Sequence, residues 1–321
     1  MYIDVFNGDA DGICALHQLR LVEPRPDARL VTGVKRDIHL LQKLAGTRQA
    51  HITVLDVSLD SNRESLASLL EADCKVFYVD HHFSGNIPDS QNLTTHIDSN
   101  PDTCTSLIVN RMINGKYSAW AVAGAFGDNL HQSAYKVAEN LSLPDSNIAQ
   151  LKELGELLNY NGYGLSVADL FFPPQDLYRE ISSFSDPLTF LEHSRIIPKL
   201  RSGFHEDMQQ VATYKPVRET EIGRIFELPP EAWARRVSGV FSNLKAQEEP
   251  ALAHGLLIRN LDGTYRVNVR APLINKYGAD TLCRGFVTGG GRAAAAGVNS
   301  LPPEQLDLFF KTFEEIFGTA D

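Results

Sequence analysis

From residue 1 to about residue 98, short apolar runs without helical spacing alternate with segments whose apolar residues recur at helical spacing. Residues 2–6, 29–34, 51–55 and 75–79 read as strands, and about 12–21, 37–44 and 62–70 as helices. This alternation predicts a parallel sheet with helices on its faces. Crossovers between parallel strands are right-handed, so the strands send their carboxyl ends to one edge. Polar residues cluster just beyond those ends. Asn7, Asp9 and Asp11 follow the first strand, Asp56 the third, and Asp80, His81 and His82 the fourth.

Beyond residue 98 the pattern turns helical, over 103–113, 118–126, 133–141 and 148–158, with Thr105 and Ser118 as candidate N-caps. Proline breaks at Pro173-Pro174, Pro187 and Pro198 then announce a boundary. The expected first domain is 1–190. A linker over 191–215 includes a helical stretch near 204–213, and a second domain covers 216–321. That second domain reads as a smaller α+β unit. It has a strand at 222–228, a helix at 229–244, paired strands 253–259 and 265–270 about Asp262-Gly263, and a helix near 274–284. A glycine-arginine segment, Gly289-Gly290-Gly291-Arg292, and an amphipathic helix at 303–317 complete it.

With 321 residues and 43% hydrophobic content, the chain can bury two cores. Its formal net charge of −10 argues against holding long duplex DNA through a broad phosphate-neutralising surface. A short phosphorylated ligand held by a few local charges stays compatible with it. Asp4, Asp9 and Asp11 interrupt the region where a signal sequence needs its apolar core. No apolar run approaches the ~20 residues that span a bilayer. Cys14, Cys74, Cys104 and Cys283 are scattered without a C-x-x-C pair, which reads as free thiols in a reducing compartment. A cytoplasmic protein without a membrane partner is expected.

The run Asn7-x-Asp9-x-Asp11-Gly12 sets oxygen donors on alternate residues. They either splay toward cations or form a polar turn with an Asp helix cap, and Gly12 permits a tight start to the next helix. Asp56 by itself reads more readily as a cap of the next helix than as a ligand. Asp80-His81-His82 after a buried strand is more specific, and so many acids on one edge repel one another unless cations neutralise them. Gly127-Asp128-Asn129 is a turn from which Asp128 can reach back to the edge. Lys35-Arg36 follows the second strand there, against a ligand or in solvent. His17, His39, His51, His96, His193, His205 and His254 lack partners at ligand spacing and read as ordinary, as does His131 on a helix surface. Trp120 and Trp233 read as core or interface residues.

In order and spacing these motifs resemble the DHH phosphoesterase superfamily, whose motifs run H-x-D-x-D-G, an Asp after a strand, D-H-H and G-D. Arg266 to Arg270, followed by Gly289-Gly290-Gly291-Arg292 and Ala295-Ala296-Gly297, is similar to the DHH-associated domain, with its strand arginine and G-G-G-H-x-x-A-A-G loop. The resemblance implies an α/β catalytic domain with a parallel sheet and a smaller α+β substrate-binding domain. It implies two divalent cations, usually manganese, with magnesium, cobalt or zinc as alternatives. Carried over by motif, one cation falls to Asn7, Asp9 and Asp56, the other to Asp11, Asp56, His81 and Asp128. His82 then sits near the substrate phosphate and Asp80 supports the ligands, so Asp80, His81 and His82 form the catalytic motif. Arg270, Gly289, Gly290, Gly291 and Arg292 would grip a phosphate.

The short two-domain form is similar to nanoRNase or oligoribonuclease-type phosphodiesterases. That implies hydrolysis of short oligonucleotides or of linear or cyclic dinucleotides in a cleft between domains, and leaves a homodimer open. This chain departs from the pattern twice, with Asn7 and Arg292 where the motifs have His. Asn7 weakens one cation site, which raises the alternative of a non-catalytic or weakly catalytic binder of a phosphorylated nucleotide. Arg292 keeps phosphate affinity while removing a group that titrates near neutrality.

Overall fold

The computed structural model describes residues 1–318 and divides into two compact units, Met1–Ser202 and Gly203–Asp321. The last three residues of the second expected domain lie outside the described residues.

In the first unit β1 (Tyr2–Phe6), β2 (Arg29–Val31), β3 (His51–Leu55), β4 (Lys75–Asp80) and β5 (Leu93–Ile97) form one sheet in the order β2-β1-β3-β4-β5. Every pairing is parallel, as the strand-helix alternation predicts. The chain leaves β1 for β2 on one side and returns to β3 on the other, so strand order reverses between β1 and β3. In open parallel sheets the crevice at such a reversal, beyond the carboxyl ends, is where ligands bind. Asn7 and Asp56 sit at the mouth of that crevice, with Asn7 N–H donating to the Leu55 carbonyl at 3.2 Å and Asp56 N–H to that of Val79 at 3.1 Å.

Three local expectations are corrected. The strand expected over 29–34 stops at Val31, and the helix expected over 37–44 is a short 3-10 segment, Leu40–Leu44. β5 is an additional edge strand. Its sequence, LTTHI, is only partly buried, so it shows little of the apolar signal that marks interior strands.

Helices α1 (Ala10–Val22), α2 (Arg63–Glu71), α3 (Thr105–Met112), α4 (Ser118–Gly127), α5 (His131–Ala138), α6 (Asp145–Gly162), α7 (Pro174–Ile181), α8 (Pro187–His193) and α9 (Ile197–Val211) complete the first unit, α9 carrying the chain across the division. Helix α1 is buried without a break from Ala10 to Leu19, as a helix enclosed on every side must be. Asp9 caps it, accepting from Gly12 N–H at 3.1 Å, an arrangement worth about 1 kcal/mol. A Cβ at position 12 would stand 2.3 Å from the Asn7 carbonyl oxygen, so the tight start needs glycine. Trp120 is fully buried on α4, donating its indole N–H to the Ser185 carbonyl at 3.0 Å. All four cysteines are buried and unpaired.

The second unit is a mixed sheet of β6 (Arg218–Glu219), β7 (Gly223–Leu228), β8 (Ala253–Arg259), β9 (Tyr265–Arg270), β10 (Gly289–Arg292) and β11 (Ala295–Leu301), ordered β10-β11-β9-β8-β7-β6. Helices α10 (Ala232–Glu248), α11 (Ala279–Arg284) and α12 (Leu306–Gly318) accompany it. Alternation along β7 shows how the faces are covered. Ile225 joins a core with Phe309, Phe313 and Phe317 of α12, while neighbouring Phe226 meets Phe241 of α10 edge-on. The helix expected near 274–284 begins only at Ala279, after Gly278 at φ 104°. The glycine segment, expected as a loop, is the first strand of an antiparallel hairpin with β11. No helix among the described residues is long and apolar enough to cross a membrane.

Candidate metal centre

The carboxyl edge of the first sheet brings together Asp9, Asp11, Asp56, Asp80 and His81, all buried, with Asp128 and His82 half-buried beside them. Each is aimed by its own element. Asp11, in the first turn of α1, accepts from Thr105 N–H at 2.8 Å and Ser106 N–H at 2.7 Å, so the amino end of α3 clamps both its oxygens. Those N–H groups have no partner within their helix, and a carboxylate suits the positive end of the helix dipole. Asp56 holds the left-handed conformation at φ 59°, which an Asp tolerates better than most residues, and its carboxylate lies 3.3 Å from the Thr105 hydroxyl.

His81 Nδ1 stands 3.2 Å from the Thr103 carbonyl. A carbonyl only accepts, so Nδ1 carries the proton and Nε2 keeps its lone pair for a ligand. Nε2 lies 3.4 Å from Asp56 Oδ1 and 3.9 Å from Asp128 Oδ2. His82 donates from Nδ1 to Asp80 Oδ1 at 2.7 Å, and the other oxygen of this fully buried carboxylate has no hydrogen-bond partner.

Two groups of donors lie close enough to share an ion. Ligand atoms of Asp11, His81 and Asp128 fall within 4.8 Å of one another, and so do those of Asp56, His81 and His82. Electrostatics agree with the geometry. Burial, then the charge of Asp128, pushes the Asp11 carboxyl up, and burial with Asp11 and Asp9 pushes Asp56 well up. Both shifts express a demand for positive charge. Carboxylate and imidazole donors around one such point suit a divalent cation.

The Asn7 and Asp9 side differs. Lys35, just past β2, places its ammonium on Asp9 Oδ2, 3.0 Å from Asn159 Oδ1 and 3.5 Å from Asp128 Oδ1. Burial would pull that ammonium's pKa down, but Asp9 and its neighbours hold it well above its ordinary value. In return Lys35 outweighs the burial of Asp9 and holds its carboxyl low. Asn7 donates from Nδ2 to the Lys35 carbonyl at 3.3 Å, while its Oδ1 is buried without a partner. Lys35 is thus the site residue whose role the sequence leaves open. Its signal was position, a lysine directly after the expected strand 29–34 at the acid-rich edge. Thr103, Thr105, Ser106 and Asn159 carried no such signal.

On the second unit, Arg270 and Arg292 both align with Ala295 of β11, so they share a register two strands apart. Arg270 donates from Nε to Asn243 Oδ1 at 2.8 Å, and Arg292 is exposed. Gly291 adopts φ 140°, and a Cβ there would stand 2.5 Å from the Ala296 Cα. Nothing lies near a Cβ at Gly290, which leaves its backbone open to approach.

No family model and no curated protein matches the chain by sequence. Solved structures do resemble it. The exonuclease RecJ bound to manganese superposes with a TM-score of 0.61 at 16% identity, covering 100% of this chain and 91% of RecJ. RecJ from Thermus thermophilus with Mn2+ gives 0.63 at 14% identity, covering 100% of this chain and 52% of that one. The pGpG-specific phosphodiesterase PggH from Vibrio cholerae gives 0.52 at 12% identity, covering 98% of each. At such identities the likeness is one of fold, shared with RecJ and PggH.

Proposed function

We propose that this chain is a metal-dependent phosphoesterase that hydrolyses the phosphodiester bonds of short oligonucleotides or dinucleotides at the carboxyl edge of its first sheet. The observation that carries the reading is the convergence of Asp11, His81 and Asp128 within 4.8 Å, with Asp56 against His81 Nε2. Support comes from the neighbours, one an exonuclease bound to manganese and another a phosphodiesterase of the dinucleotide pGpG.

Asp11, Asp56, His81 and Asp128 would hold the cation, and Thr103, through His81 Nδ1, sets the imidazole that faces it. When bound, a divalent cation supplies a Lewis acid for a phosphoryl oxygen and lowers the pKa of a water molecule. His82 contributes a hydrogen-bond donor. Burial would lower its pKa, but the hydrogen bond and charge of Asp80 raise it, so the imidazolium persists closer to neutral pH. With Nδ1 engaged by Asp80, Nε2–H is the remaining donor on this 38% exposed side chain, placed to bind a phosphate oxygen. On the second unit, β10 is an edge strand, so its outward N–H groups lack strand partners. With Arg292 they form a phosphate grip. The acidic balance of the chain favours short substrates over long duplexes.

The test is incubation with manganese and a panel of linear dinucleotides, cyclic dinucleotides, short RNA, 3′-phosphoadenosine 5′-phosphate and pyrophosphate. Turnover of a linear dinucleotide or short RNA that a chelator abolishes is the expected result. Binding without turnover across the panel would instead favour a nucleotide binder, the reading to which the Lys35 contact with Asp9 lends weight.

A further inference from the structure

We propose that the Lys35 ammonium is a built-in cation standing in for one of the two cations that the DHH resemblance implies, so that this edge takes a single divalent ion, at Asp11, Asp56, His81 and Asp128. The inference rests on reading the edge as a cation site and goes beyond it in number.

The first argument is occupancy. An ammonium has three donors, and Lys35 aims them at Asp9, Asn159 and Asp128. The Tyr163 ring lies 5.7 Å away on a further side. Asp9, one of the ligands that the DHH resemblance assigns to the first cation, is therefore engaged by the chain itself. The second argument is how firmly Lys35 is held. Its own N–H donates to the Gly162 carbonyl at 2.8 Å, and its carbonyl accepts from Asn7 Nδ2 at 3.3 Å. Asn7, standing where the motif has a metal-binding imidazole, is thus used to fix the backbone of the lysine. The position where the motif has an imidazole thus braces the residue that supplies the charge.

The third argument is charge balance. With Asp80 paired to His82, Asp9, Asp11, Asp56 and Asp128 carry four further negative charges when ionised. Lys35 and one divalent ion leave a single negative charge, whereas Lys35 with two divalent ions would leave an excess of positive charge in a buried site. Like charges at such separations repel strongly away from water.

The test is manganese stoichiometry of the metal-free full-length protein, read by isothermal titration and by elemental analysis after dialysis. One equivalent is expected for the wild type and two for Lys35→Ala. Electron paramagnetic resonance of the loaded wild type supplies a readout that needs no variant, an isolated six-line manganese signal being the expected spectrum. Two equivalents in the wild type, an exchange-coupled spectrum, or one equivalent in a folded Lys35→Ala protein would each overturn the proposal while leaving the cation-site reading intact. Absence of bound manganese from every variant would overturn both.

Discussion

Asp9 and Asp11 stand two residues apart at the start of one helix and meet opposite surroundings. Asp9 is buried against Lys35, whose charge outweighs desolvation and keeps its carboxyl low. Asp11 is buried against Asp128, and desolvation with that like charge drives its carboxyl up, although two backbone N–H groups of α3 hold it. One side of the edge is neutralised from within the chain, while the other keeps its like charges crowded together. On the proposed reading, this short stretch stores folding stability on the Lys35 side and cation affinity on the His81 side.

The contrast breaks most directly at Asp9. Asp9→Asn strands a mostly buried ammonium and is expected to cost about 3 kcal/mol in urea unfolding, near the low end for a broken buried pair because Lys35 keeps 21% of its side chain exposed. A wild-type unfolding midpoint would mean that the pair stores no stability. On the other side, His81→Ala should weaken manganese binding by about 100-fold in a calorimetric titration, at or beyond what losing an outer-shell partner costs. Unchanged affinity would remove His81 from the ion's ligands.

The smallest effect is a pH slope. Asp56 is held well above its ordinary 3.8 by burial and by Asp11 and Asp9. A carboxyl with a raised folded pKa keeps its proton in the fold after the unfolded chain has released it. The stability of the metal-free protein therefore falls as pH rises from about 4 through the folded value. Asp56→Asn should flatten that slope, its melting temperature exceeding the wild type's at neutral pH and converging with it in acid. Asn accepts the left-handed backbone at this position, so no conformational penalty masks the comparison. Parallel slopes in chelator-treated melts would show that Asp56 is not under the strain assigned to it.

Much of this edge was legible in the sequence because a parallel sheet turns chain order into geometry. Asp56 and the triplet at 80–82 each end an apolar run, and right-handed crossovers bring such ends together. Lys35 was half legible. Its strand was shorter than it looked, and its grip on Asp9 depends on the path of the chain after Val31. The clamp of α3 on Asp11 was hidden because it joins residues 94 and 95 positions apart through backbone N–H groups that any residue could supply. β10 was hidden for another reason. Three glycines and an arginine show no alternation of apolar and polar side chains, so only pairing with β11 reveals a strand.

The grip of α3 on Asp11 also bears on the order in which the protein assembles. All five strands of the first sheet lie within the chain segment that this contact closes, save β1, which immediately precedes it. Closure entropy grows only slowly with length, so distance itself is a minor obstacle. The larger requirement is a finished surface, since α3 has nothing to dock on until α1 and the sheet are in place, and contacts of such long range form late. A chain whose sheet has formed but whose eight-residue α3 is still loose lacks the clamp that orients Asp11. Under the proposed function, ion capture marks a completed first unit, and loosening of one short helix is enough to let the ion go.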